Sequence, residues 1–393
     1  MRARPNIFLS AGEASGEHYG AALISALRQI DPSIDFFGLG GQRMQQLGMR
    51  RIVRAEDVAV MGITEVVRHL PRIYREYLRL KASILAEKPD LAILIDFPDV
   101  NLTLARTLHQ QGTPVLYFVS PQLWAWKKHR IRKVQRYVDR MLVIFPFEVD
   151  FYRSHGVQAD FVGHPLAELP LPTISREDFA AQHSLDPAKF WIGLLPGSRG
   201  KEIRLNLPEM VAAAAKLGPA YEYVFPLAPS LTENQRGHIR ENLASLVAGH
   251  SNPPRIAVVD DARATLHHAR ASIVASGTAT VEAALIGNPF VVVYRVSPLS
   301  YAIAKRVVDV PHVAMANLIA GRRMVPELIQ HDFTAEAIVS QVEPLLHNEQ
   351  LRQTMQAQMA QVRHALAPPA GGAISRVAQT AAHLLQARLS SVS

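Results

Sequence analysis

The chain has 393 residues, 48% of them hydrophobic and 19% charged, too many for one ordinary core and a natural fit to two domains of roughly 150–200 residues. It contains no cysteine, which excludes disulfides, thiol catalysis and zinc–thiolate sites. The formal net charge of +8 suits nucleic acid, anionic lipid headgroups or phosphorylated substrates and does not choose among them.

The start of the chain is basic, but its apolar run is only Ile7 to Leu9. It reads as a first strand, Asn6 to Leu9, rather than a signal peptide, so a cytoplasmic protein is expected. No run approaches the ~18 apolar residues of a spanning helix. The strand leads into SAGEASGEHYG, Ser10 to Gly20, and then a helix from about His18 to Gln29. Ser15 and Gly16 fall near that helix start, where free N–H groups favour anions or sugar hydroxyls. A plain strand-to-helix turn with a capping serine explains the same residues. Asp35 to Gly38 is the next strand. The GLGG that closes it lacks the third glycine of a dinucleotide fingerprint, because Arg43 stands there.

In VVRHLPRIYREYLR, Val66, Leu70, Ile73 and Tyr77 recur at helical spacing, with Arg68, Arg72, Arg75 and Arg79 opposite. Pro71 is expected to interrupt or restart this helix. The pattern alone favours a core stripe with a solvated arginine face over an interfacial element. The continuous apolar strands Leu91 to Ile95, Val115 to Val119 and Met141 to Ile144 argue for a parallel sheet covered on both faces. IDFPDVN follows the first of them. Asp96 stands first after the strand and is the candidate general base for an attacking hydroxyl. Asp99 reads as turn or cap chemistry. WAWKKHRIRKVQRYVDR, Trp124 to Arg140, sets indoles among cations. That suits a membrane interface or RNA, although no nucleic-acid module is present, and a solvated basic helix remains open.

GHPLAELPLPT, Gly163 to Thr173, reads as a linker with prolines at 165, 170 and 172. A second α/β series follows, with strands at Trp191 to Gly197, Tyr221 to Leu227, Arg255 to Asp260, Ala271 to Ser276 and Phe290 to Val296. LPGSRGKE has neither the spacing nor the Ser/Thr of a P-loop. Arg199 in it is a cation able to fork onto a diphosphate, or else a solvated turn residue. ASGTATVEAALIG repeats the form: Ser276, Gly277 and Thr278 end a strand, and a helix starting near Thr280 would offer its amides to phosphate. Glu282 would lie in its first turn, able to accept ribose hydroxyls or simply to suit the positive helix end. Helical patterns fill the chain from about Thr334, and APPAGG sets off a last helix. The fold class is α/β, with two Rossmann-like doubly wound domains facing a cleft.

In this order GEASGE, AVMGITEV, IDFPDVN, VSPQLWAW, FVGHP, LLPGSRGKEI, ASGTATVE and ANLIAGR resemble the lipid-A-disaccharide synthase family from about Ile7 to Gln330. The resemblance implies a GT-B type fold and an inverting transfer that needs no metal or cofactor. It implies UDP-2,3-diacylglucosamine as donor and 2,3-diacylglucosamine 1-phosphate (lipid X) as acceptor. The products would be the β-1,6-linked lipid A disaccharide 1-phosphate and UDP. It supports Asp96 as base and places Arg199, Ser276, Gly277, Thr278 and Glu282 at the UDP. It adds Glu13, Ser15, Gly16, Asn317 and Arg322 to the active site. It turns Val66, Val67, Leu70, Ile73 and Tyr74 toward the membrane and the acyl chains. The implied place is the cytoplasmic face of the inner membrane, held peripherally by anionic lipids. No nucleic-acid partner is implied, and a homodimer is left open. The expected divisions are 1–170 for the acceptor and membrane, 171–365 for the UDP-sugar, and 366–393 as a helix packing back on the N-terminal domain. Glu17, where the family usually has Asp, and the polar Thr64 are departures. The alternatives are an enzyme like UDP-N-acetylglucosamine 2-epimerase and a non-catalytic membrane or RNA-binding adaptor.

Overall fold

In the computed structural model, which describes residues 4–58, 63–307 and 310–392, the continuous apolar runs become two all-parallel sheets. The first contains β1 (Asn6–Ala11), β2 (Asp35–Gly40), β3 (Arg50–Arg54), β4 (Leu91–Ile95), β5 (Val115–Phe118), β6 (Arg140–Val143) and β7 (Ala159–Phe161). Their order is β3-β2-β1-β4-β5-β6-β7. The second contains β8 (Phe190–Leu195), β9 (Tyr221–Pro226), β10 (Ile256–Val259), β11 (Ala271–Ala275), β12 (Phe290–Tyr294) and β13 (Glu327–Ile329), in the order β10-β9-β8-β11-β12-β13. Every residue of β4 is fully buried, as expected when helices cover both faces. Burying each large aliphatic there stabilises the fold by ~1.5–3 kcal/mol.

In each sheet the chain runs outward one way from the first strand and then returns to start the other half beside it. The reversals fall between β1 and β4 and between β8 and β11. Ligands of such sheets bind beyond the carboxyl ends of the strands at this point.

Two differences from the sequence expectations have physical causes. The first helix spans Ala14–Ile30 and so begins four residues before His18. Gly16 is buried against Ala11 and Ile95, so packing on the sheet draws the helix start over the strand ends. The helix Ile63–Glu87 runs through Pro71 without interruption. Pro71 lies on the exposed side, and the buried Leu80 and Ile84 further along hold the helix to the core. That packing offsets the lost hydrogen bond and ring clash, a cost of ~3 kcal/mol or more.

The chain divides into two compact units, one of Met1–Glu168 with Leu366–Ser393 and one of Leu169–Ala365. Within the first unit the last helix, Ala373–Val392, packs along Ala14–Ile30. The returning segment is pinned where the first unit leaves β7. The His164 N–H donates to the Leu366 carbonyl at 2.9 Å, and the Ala373 N–H donates to Glu168 Oε1 at 2.6 Å. Gly163 has φ +91°, and a Cβ on it would stand 2.2 Å from Pro368 Cα. This close approach gives FVGHP a structural reason. Gly163→Ala is expected to destabilise the protein by ~1–3 kcal/mol, the usual cost of overpacking, in denaturant unfolding. Limited proteolysis should cut the 367–372 segment faster in that variant.

Candidate functional site

At the reversal point of the first sheet, β4 ends in two left-handed residues that are not glycine, Asp96 (φ 46°) and Phe97 (φ 48°). Such backbone costs ~1–3 kcal/mol per residue and persists only where its surroundings over-determine it. The Asp96 N–H donates to the Phe118 carbonyl at 3.0 Å. The Asp96 carbonyl accepts from Tyr117 Oη at 2.5 Å and from Asn101 Nδ2 at 2.8 Å. Asn101, fully buried, also donates to the Ile95 carbonyl at 3.2 Å, and its Oδ1 accepts from Ser10 Oγ at 2.6 Å. The Phe97 ring lies against Gly12. The Ser10–Gly20 motif and IDFPDVN are therefore interlocked, with the half-buried Asp96 side chain at their junction.

In the segment that follows β1, Glu13 is half-buried at the N-cap of Ala14–Ile30, Ser15 is exposed and Gly16 is buried. Glu17 points elsewhere. Its Oε1 accepts the Arg43 N–H at 2.8 Å and caps the short helix Gln42–Gln46. Asp99 is exposed and ion-paired to Lys127 (3.4 Å) and Arg130. Burial would raise its carboxyl, but the hydrogen bonds and charges of Arg130 and Lys127 outweigh it and hold the group below the usual range. This is an ion-pair role across 28 and 31 residues of chain rather than the turn or cap chemistry expected of it.

The first sheet also carries a buried carboxyl that the sequence reading passes over. Glu148, in the first turn of Pro146–Ser154, accepts from Ser120 Oγ (2.6 Å), Trp124 Nε1 (3.2 Å) and the Phe145 N–H (3.1 Å). It ties the segment after β5 to the helix after β6. A proline at N1 followed by glutamate at N3 was the available signal. Burial pushes the Glu148 carboxyl up to about 7, against the hydrogen bonds from Ser120, Phe145 and Trp124. Burial likewise pushes His164 down to about 4.

In the second sheet, β8 feeds Pro196 to Arg199 into the helix Gly200–Leu217. Arg199 Nη1 meets Glu202 Oε1 at 3.0 Å, and the Ser198 N–H donates to Glu202 Oε2 at 3.2 Å. Asn206, fully buried, donates to the Pro196 carbonyl at 2.8 Å and accepts the Arg295 N–H at 3.2 Å. Burial raises the Tyr294 phenol, with the Glu202 charge adding to that effect and Arg199 opposing it.

Across the reversal, β11 is followed by Ser276, whose Oγ donates to the Val313 carbonyl at 3.1 Å. Gly277 and Thr278 are exposed at the start of the helix Thr278–Ile286. This helix begins two residues before Thr280, so Glu282 stands in its second turn and not its first. Burial raises the Glu282 carboxyl, and Arg263, 3.6 Å away, opposes the shift. Asn317 is buried with both ends of its amide engaged. Nδ2 donates to the Val325 carbonyl and Glu327 Oε1, and Oδ1 accepts the N–H groups of Met324 and Val325. Arg322, at the head of that bend, is exposed and reaches Gln361 at 3.1 Å.

The side chains of Val66, Val67 and Leu70 lie outside the described residues. Ile73 on the same helix is half-buried, and Tyr74 is 60% exposed, stacked on Tyr77. Leu78 and Leu85 are also exposed. In the basic run, Lys127 Nζ sits 4.1 Å above the exposed Trp126 ring, and Arg132, Lys133 and Arg136 face solvent. Among the described residues no helix is long and apolar enough to cross a membrane.

Two all-parallel units of this strand order define a GT-B type glycosyltransferase fold. The glycosyltransferase of kitacinnamycin has this fold, with a TM-score of 0.61 at 13% identity, 98% of this chain and 100% of that one being covered. So does the UDP-GlcNAc 2-epimerase of Neisseria meningitidis bound to UDP-GlcNAc, with a TM-score of 0.59 at 13% identity over 98% of this chain and 100% of that one. The model of the lipid-A-disaccharide synthetase family matches residues 7–379. The lipid-A-disaccharide synthase of Acidobacterium capsulatum is 75% identical over 393 residues, 99% of this chain and 98% of that protein. The chain belongs to the lipid-A-disaccharide synthase family, glycosyltransferases of lipid A biosynthesis. The likeness to the epimerase carries the fold alone.

Glu148 gives the first unit a pH signature. Its folded-state carboxyl is raised from 4.5 to about 7, so its contribution to stability is fully present below about 4.5 and is lost as the pH rises through about 7. Glu148→Gln, which never ionises, should flatten that decline. Denaturant unfolding of both proteins from about pH 5 to 8 measures it, and the compared quantity is the slope with pH.

Proposed function

We propose that the chain joins UDP-2,3-diacylglucosamine to 2,3-diacylglucosamine 1-phosphate, with the acceptor held by the first unit and the donor by the second. The acceptor 6-hydroxyl oxygen attacks the donor anomeric carbon and forms the β-1,6 bond. The bond from that carbon to the diphosphate breaks, and UDP leaves with the electron pair. The hydroxyl proton passes to the Asp96 carboxylate. The observation that carries this reading is the strained Asp96–Phe97 turn, held by Tyr117, Asn101 and Phe118 at the reversal point of its sheet. A fold spends backbone strain of this kind where a side chain must be aimed.

The other residues take roles that fit their surroundings. Glu13, Ser15 and Gly16, in the segment that follows β1 beside β4, bind acceptor hydroxyls. Arg199 and the amides at Gly277 and Thr278 balance the charge of the departing diphosphate, an electrostatic contribution concentrated where charge develops. Ser276 shapes that turn, and Glu282 accepts the ribose hydroxyls. Asn317 has no spare bonding capacity and enters as a positioning residue for the bend that presents Arg322. The stripe of Val66, Val67, Leu70, Ile73 and Tyr74 meets acyl chains at the cytoplasmic face of the inner membrane. The arginines and lysines of 127–136 attract anionic headgroups there.

The direct test supplies UDP-diacylglucosamine with and without the acceptor. UDP release that requires acceptor supports transfer, whereas release without it supports an epimerase-like reading. Asp96→Asn should lower turnover by ~10²–10⁴ while UDP still binds. Activity within about tenfold of the parent would remove Asp96 as the base. Arg199→Ala should weaken UDP binding by ~10–100-fold in calorimetry, the value of a charge-assisted hydrogen bond.

A further inference from the structure

The turn after β8 is occupied by the protein's own carboxylate. Both Glu202 oxygens are engaged there, Oε2 by the Ser198 N–H and Oε1 by Arg199. A Cβ on Gly197 would stand 2.6 Å from Oε2, so the carboxylate fills the hollow of the turn. The eighteen-residue helix Gly200–Leu217 begins beside it, and its positive end favours an anion. The matching turn after β11 differs. A Cβ built on Gly277 would meet no atom within 4 Å, and the helix that follows has no acidic residue in its first turn.

We infer that Glu202 is a resident competitor of the donor diphosphate: its carboxylate holds the groups a phosphate oxygen needs, must swing away when the UDP-sugar binds, and hastens the loss of UDP by returning. This inference rests on the reading of Arg199 as a diphosphate contact. The Ser198 N–H has one hydrogen and cannot serve a carboxylate and a phosphate oxygen at once. Two anions on one guanidinium and one helix end also repel. Glu202 is free to make the move, because its side chain is 30% exposed and flexible. The residue therefore sets the affinity for donor and product together, favouring turnover over tight holding of UDP.

The test is calorimetric titration of the full chain with UDP for the parent protein, Glu202→Gln, Arg199→Ala and the double variant, each checked by thermal unfolding. Glu202→Gln is expected to bind UDP about tenfold more tightly, because one like-charge contact is relieved. It should show a lower inhibition constant for UDP and an unchanged KM for the acceptor. In the Arg199→Ala background the gain should shrink, because the competition for the guanidinium is gone while that for the Ser198 N–H remains. Unchanged or weaker UDP binding by a folded Glu202→Gln overturns the inference and makes Glu202 a support that orients Arg199. If Glu202→Gln does not fold, Glu202→Asp keeps the charge, shortens its reach and should also tighten UDP. If it fails to do so, the inference falls. Unchanged UDP affinity in Arg199→Ala alone overturns the donor reading itself, and the inference with it.

Discussion

Where a parallel strand stops, its last carbonyls lose the ladder that satisfied them, and a buried carbonyl without a partner costs ~1–3 kcal/mol. The two reversal points meet this demand in the same way. A fully buried asparagine on the following helix reaches back, Asn101 to the end of β4 and Asn206 to the end of β8. Asn101 also ties in the neighbouring β1 through Ser10, and Asn206 reaches the Arg295 N–H just past β12, two strands away from β8. An amide suits this work because it donates and accepts at once without charge. With the strand ends fixed from behind, the turns in front can carry side chains chosen for chemistry. Asn317 applies the same device to the bend before β13.

The parts of the fold that depend on simple burial were legible in the sequence. Runs such as LAILI and VLYF have no reading other than covered strands, and both sit fully inside. The short strands were not legible. β3 is an edge segment, RRIVR, whose arginines hide its alternation, and β7 and β13 have three residues each. The Asp96–Phe97 bend was equally hidden, because left-handed backbone without glycine is imposed by distant partners such as Tyr117 and Phe118. Glu148 escaped notice for a similar reason: its meaning lies in Ser120 and Trp124, which stand 28 and 24 residues away in the chain. Asp96, Arg199 and Ser276 could be singled out from sequence because position after a strand is a local property. What each touches is not.

The count of 42 lysines and arginines overstates the basic surface on offer. Arg75 and Arg79 bracket the buried Glu76, Arg72 meets Asp57, and Lys127 and Arg130 share Asp99. These pairs order one helix and one turn. The solvent-facing cations of 131–137, Arg132, Lys133 and Arg136, make a smaller and more local patch than composition implies. Its neighbour is the exposed Trp126, so attraction and an aromatic surface fall on the same stretch of chain.

The first unit is assembled from two separate stretches of chain, with the whole second unit between them. During synthesis the second unit can be finished while the first still lacks its closing helix. Until residues 373–392 emerge from the ribosome, the surface of Ala14–Ile30 that they cover stays bare, and the buried Val377, Ala378, Ala381 and Leu385 are not yet there to shield it. The nascent protein thus carries an apolar face through the translation of nearly two hundred further residues, a delay that exposes such chains to aggregation and to chaperones. The first unit is the first to be begun and the last to be completed.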